Sequence, residues 1–122
     1  MTESAIALNV RDMHARFESL FNSGDIEGLL DLYEPYAILH PSPGQAVTGK
    51  EAIRTALSGF IGLGGKITVT TLTVFERGDG IALTHGEWSL KGGSTELAGK
   101  TAEVLRCQPD GRWLYIIDNP WV

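Results

Sequence analysis

The stretch Phe21–Gly49, FNSGDIEGLLDLYEPYAILHPSPGQAVTG, decides how this chain folds. Asp25 can accept from the free N–H groups that open a short helix, whose apolar face is Ile26, Leu29, Leu30 and Tyr33. Pro35 lacks the N–H needed to continue that helix and stops it. Tyr36–His40 then reads as a brief apolar strand, closed off by Pro41 and Pro43. A lone histidine, His40, stands at the strand's end. Thr48, with Glu51 three residues on, makes a capping box that opens another helix, with Ile53, Leu57 and Phe60 on its buried side.

Upstream, Met13, Phe17, Leu20 and Phe21 recur at helical spacing and predict an amphipathic helix from about Ser4 to Asn22. Downstream, Gly59, Gly62, Gly64 and Gly65 end helical structure. Beyond Lys66 the pattern becomes that of strands: Ile67–Glu76, Ile81–Leu90, Thr95–Gln108 and Trp113–Asn119. Gly78-Asp79-Gly80, Gly92-Gly93 and Pro109-Asp110-Gly111 supply the turns between them. Three helices followed by an antiparallel meander predict a single α+β domain over residues 1–122.

A chain of 122 residues with 43% hydrophobic content can bury a core without disulfides or metals. The net charge of −5, with ten scattered Lys and Arg, excludes a nucleic-acid partner, which requires clustered cations. One cysteine, Cys107, cannot form an internal disulfide and fits a reducing compartment. The opening MTESAIALNVRD lacks the basic region and apolar run of a signal peptide, and no apolar run approaches the roughly 18 residues of a membrane span. A cytoplasmic protein with no membrane partner is expected. HxxxH and CxxC spacings are absent, and Gly62, Gly64 and Gly65 lack the strand–GxGxxG–helix context of a phosphate cradle. No metal or cofactor is expected.

The late strands are apolar on both faces: Ile67, Val69 and Phe75 alternate onto one, Leu72 and Val74 onto the other. Helices can cover only one face. The other is expected to meet a second copy of the chain in a homodimer.

Gly24-Asp25-Ile26-Glu27, Leu32-Tyr33, His40-Pro41, Gly49-Lys50-Glu51-Ala52-Ile53 and Pro109-Asp110-Gly111-Arg112-Trp113 follow one another between about Val10 and Asn119. In that order they resemble the nuclear transport factor 2-like superfamily, in its SnoaL-like and ketosteroid-isomerase-like branch. The resemblance implies a cone-shaped, curved antiparallel sheet wrapped around N-terminal helices, with an internal pocket. It leaves the reaction open, because isomerases, dehydratases, epoxide hydrolases, polyketide cyclases and plain binding or assembly domains share this shape. The isomerases of the superfamily use a carboxylate base before the proline ending the first strand, a tyrosine on the first helix and a neutral aspartic acid on a later strand. Those positions fall on His40, Phe17 and Glu103. Phe17 has no hydroxyl, so the steroid-isomerase reaction is not expected.

If Glu103 faces the pocket, strand alternation brings Thr101 and Leu105 with it. The same correspondence turns Thr84, Gly86, Trp88, Leu90, Ile116 and Asp118 inward, and His85, Glu87, Tyr115 and Ile117 outward. The expected lining is Phe17, Tyr33, His40, Trp88, Glu103 and Asp118, amid Met13, Leu57, Leu90, Leu105 and Ile116. His40 would exchange protons near neutrality, Asp118 would orient its ring, and Glu103 would donate. The structural alternatives are a His40 bonded to a backbone carbonyl, an Asp118 paired with Arg16 or Arg54, and a Glu103 paired across the sheet. His14 is expected on the helix surface. The function expected is acid–base chemistry, of the isomerase, cyclase or dehydratase type, on a small apolar carbonyl compound. The alternatives are a non-catalytic binding module for an apolar or aromatic ligand, and a dimerisation or assembly domain with a filled cavity.

Overall fold

The computed structural model describes residues 9–122. Asn9 accepts from the Arg11 N–H and caps a single 3-10 turn, Val10–Asp12, which runs into helix α1, Met13–Asn22. The part of the expected first helix from Ser4 to residue 8 lies outside the described residues. Asp25 caps α2, Ile26–Leu30, by accepting from the Gly28 N–H at 2.9 Å. This helix ends earlier than Pro35 requires: strand β1 already begins at Tyr33 and runs to Ser42, so Pro35 lies in the strand. Strand β2, Gln45–Thr48, then leads into helix α3, Lys50–Ile61. The expected capping box does not form. Thr48 belongs to β2, and Gly49 occupies the cap position with a φ of 93°, a conformation that favours glycine.

The remaining strands are β3, Lys66–Glu76; β4, Ile81–Lys91; β5, Leu97–Cys107; and β6, Trp113–Asn119. They form one six-stranded sheet in the order β2-β1-β6-β5-β4-β3. The sheet is mixed rather than wholly antiparallel, because β1 and β6 run parallel. Helix α1 packs on β3 and α3 on β1, so the helices cover one face of the curved sheet. Met13, Leu29, Tyr33, Leu39, Ile53, Leu90 and Leu105 fill the space between. Among the described residues, no helix is long and apolar enough to cross a membrane.

Two irregularities change which side chains face the core. The β3–β4 register slips between Thr71 and Thr73, leaving Leu72 as an extra residue. Val74 consequently joins Ile67 and Val69 on the covered side, whereas Phe75 turns outward and is 64% exposed. The β5–β6 register slips in the same way. Val104 pairs with Ile117 but Leu105 with Tyr115, so Ile116 is the extra residue. Simple alternation would put Ile116 inward and Tyr115 outward. The bulge reverses both: Tyr115 is fully buried and Ile116 only half-buried.

Candidate functional site

The site is built around two carboxylic acids placed side by side on adjacent strands. Glu103 of β5 and Asp118 of β6 are directly opposed in the sheet, and only 3% and 6% exposed. Two buried acids at such a position repel one another unless a cation or a proton intervenes. The fold meets this differently for each.

Glu103 is held as an acceptor. His14 Nε2 lies 2.9 Å from its Oε1, and the Thr84 hydroxyl donates to the same oxygen at 2.6 Å. The second ring nitrogen of His14 lies 2.7 Å from the Thr71 hydroxyl, so both nitrogens are engaged. His14 is therefore not a surface residue; it is 4% exposed and points from α1 onto the sheet. Gly86 makes this possible. A methyl group there would come within 3.0 Å of the His14 ring and 2.5 Å of the Thr70 carbonyl oxygen.

Asp118 has no imidazole of its own. The buried Tyr33 hydroxyl donates to its Oδ2 at 2.5 Å. Burial, then the neighbouring Glu103 charge, push the Asp118 carboxyl up to about 7, against the smaller downward pull of Tyr33 and His14. Burial, and then the same carboxyls, push the Tyr33 and Tyr115 hydroxyls well above their ordinary value, so both remain neutral donors.

Asp118 also borders an apolar, half-open cavity of about 60 Å³. That is several times the roughly 10–15 Å³ one water needs. Phe17, Phe21, Leu39, Leu57, Phe60, Ile67, Val69, Trp88 and Pro120 form its walls, and Thr101 and Asp118 bring polar groups to it. Phe17 and Phe21 stack at 6.0 Å between ring centroids. The Trp88 indole N–H donates to the Pro120 carbonyl at 2.7 Å, which ties the segment after β6 to the cavity wall.

Of the residues expected to line the pocket, Phe17, Leu57, Trp88 and Asp118 do so. Tyr33, Leu90 and Leu105 are buried in the core, with Tyr33 touching the site through Asp118. Glu103 lies behind the wall in the His14 network, and Ile116 is displaced by the bulge. His40 does not join them. Leu39 sits beside Asp118 in the parallel pair and faces the cavity, so the next residue, His40, turns to the opposite side. The histidine beside the acids is His14, which the sequence signals through its spacing: His14, Phe17 and Phe21 form an i, i+3, i+7 stripe on one helix face. Among the described residues, no three His, Cys, Asp or Glu side chains converge as a metal site would require.

A curved sheet closed by helices over an apolar cavity is the α+β cone of nuclear transport factor 2-like proteins. The chain belongs to the SnoaL-like domain family, whose family model matches residues 13–116. Comparison with curated proteins gives no match. Among solved structures, the chain is similar to an NTF-2 like protein of unknown function from Shewanella oneidensis, with a TM-score of 0.72 and 20% identity over 84% of this chain and 87% of that one. It is also similar to a putative calcium/calmodulin dependent protein kinase II association domain from Xanthomonas campestris, with a TM-score of 0.76 and 20% identity over 90% and 82% of the two chains. An NTF2-like protein with a cystatin-like fold from Novosphingobium aromaticivorans gives a TM-score of 0.70 and 20% identity over 90% and 77%. At such identities the likeness is one of fold.

Proposed function

We propose that this protein is an acid–base enzyme acting on a small, apolar carbonyl compound, with Asp118 as the group that moves the proton. One observation supports this above the others. A carboxyl poised near pH 7 stands in the wall of an apolar cavity, held by a tyrosine hydroxyl. Efficient proton transfer needs a group whose pKa lies close to the working pH, and burial beside a second acid supplies that here. Ionised Asp118 removes a proton from the carbon next to the carbonyl. The C–H bond breaks, an O–H bond forms on the carboxyl, and the electron pair moves to the carbonyl oxygen as an enolate. Returning the proton to a different carbon gives an isomer. Glu103 and His14 act behind Asp118 by setting the local charge.

The test is hydrogen–deuterium exchange of a simple ketone in D2O, followed by proton NMR. The wild-type protein is expected to accelerate exchange, with a rate that rises with pH through about 7 as Asp118 ionises. Asp118→Asn is expected to lose at least roughly a hundredfold of that acceleration. An Asn variant as active as wild type would remove Asp118 from the chemistry.

A second copy of the chain is the proposed protein partner. Phe75, Leu83, Val104, Ile117 and Ile38 pair in turn across five strands, giving an unbroken apolar row on the face that no helix covers. Phe75, Leu83 and Ile117 are exposed, at 64%, 38% and 40%. Such a row suits a self-complementary interface related by a two-fold axis. Sedimentation should show a dimer for wild type and a monomer for Leu83→Glu; a wild-type monomer at high concentration would end this idea.

A further inference from the structure

We propose that Thr101 is the residue that holds the substrate's carbonyl oxygen, and that it restricts the cavity to neutral ketones and aldehydes with no other polar group. Three observations lead there, and they rest on the acid–base role proposed above for Asp118. Thr101 is 4% exposed and lines the cavity, yet its hydroxyl has no hydrogen-bond partner among the described residues. A buried hydroxyl without a partner is costly and rare. The neighbouring hydroxyl of Thr84, by contrast, is spent on Glu103. Thr101 thus brings an unpartnered donor to a cavity whose other polar side chain is Asp118.

Its position fits the chemistry. Thr101 precedes Glu103 by two residues on β5, so both face the covered side of the sheet, and Glu103 is directly opposite Asp118. Thr101 and Asp118 are therefore diagonal neighbours, separated by roughly one small functional group. A carbonyl oxygen that accepts from Thr101 places the adjacent carbon toward Asp118. As that carbon loses its proton, negative charge grows on the oxygen, and the Thr101 O–H bond to it strengthens.

The same arrangement sets what is refused. A carboxylate would bring a third acid beside Asp118 and Glu103, with His14 already committed to Glu103. A second hydroxyl or amide on the ligand would be buried against Phe17, Phe21, Leu39 or Leu57 without a partner. The cavity, about 60 Å³ and half-open, is smaller than the roughly 150 Å³ that encloses a benzene ring, so a compact ring would seat its carbonyl edge inside and leave the rest at the open side.

Cyclopentanone is the probe, with methylenecyclopentane as its carbonyl-free isostere, and cyclopentanecarboxylate as a charged relative. Binding is read by NMR chemical-shift titration and α-proton exchange in D2O. Thr101→Val keeps the shape and removes the hydroxyl; Thr101→Ser keeps the hydroxyl. For Thr101→Val, cyclopentanone affinity is expected to fall about tenfold and exchange roughly a hundredfold. Methylenecyclopentane binding should not change, and Thr101→Ser should restore most of both losses. Unchanged ketone affinity in Thr101→Val, tighter wild-type binding of the carboxylate, or no ketone binding at all would overturn the assignment. Ketone binding that depends on Thr101 without any exchange would instead retain Thr101 and remove the acid–base role of Asp118.

Discussion

Replacing His14 by leucine is expected to destabilise the fold by about 2–5 kcal/mol, because it leaves two buried polar groups short of a hydrogen-bond partner. His14 and Glu103 are each about 4% exposed at the side chain and lie 2.9 Å apart, so water cannot substitute for the missing ring. The Thr71 hydroxyl would lose its partner as well. Such a loss is a large share of the roughly 5–15 kcal/mol that holds a domain together. Urea unfolding of wild type and His14→Leu gives the number directly. The double variant His14→Leu with Glu103→Leu should recover most of the loss, because replacing both partners of a buried hydrogen bond by apolar groups of similar volume is often nearly neutral. A single variant within about 1 kcal/mol of wild type would show that the pair contributes little.

The second large effect is a dependence of stability on pH that comes from Asp118. Its carboxyl ionises near 3.8 in the unfolded chain and near 7 in the folded one. Below 3.8 both states hold the proton and nothing changes with pH. Between the two values the unfolded chain releases the proton while the folded one keeps it, so stability falls as pH rises. Above about 7 the loss is complete, at roughly 4 kcal/mol for a carboxyl raised this far. Asp118→Asn has no proton to keep. The difference in stability between this variant and wild type should therefore grow in the variant's favour from pH 4 to pH 7, then level off. A difference that stays flat across that range would mean that Asp118 ionises normally in the folded protein. A difference that grows as expected would mark a site that gives up stability to hold an acid in an apolar setting.

Much of the fold was legible because its turns are written in glycine, proline and aspartate. Asp25 capped its helix as read, and the turns at 78–80 and 109–111 separated strands close to their observed limits. What simple alternation could not show were the extra residues Leu72 and Ile116. Each bulge shifts the phase of its strand, and nothing local in a run such as Trp113-Leu114-Tyr115-Ile116-Ile117 marks which residue is the spare one. The inward placement of Thr101, Thr84, Trp88 and Glu103 survived because β4 and β5 pair without a slip, and that of Asp118 because it lies beyond the β6 bulge, directly opposite Glu103. The histidine was harder. His40 sits on an apolar strand beside a proline, whereas His14 lies on a helix among charged neighbours. Gly86 was the missed signal: an inward glycine in mid-strand marks a space that another element must fill.

The strand order has a consequence for how the chain comes to be folded. β6 is the last strand in sequence, yet it lies in the interior of the sheet between β1 and β5. As the chain leaves the ribosome, β1 and β2 appear early and wait without their main neighbour. β3, β4 and β5 assemble with a bare edge of their own. Only when Trp113–Asn119 emerges can the two pieces be joined, and Asp118 arrives in that same segment. The nascent chain is therefore most exposed to misassociation until β6 has emerged. The event that closes the sheet also delivers the acid to its site.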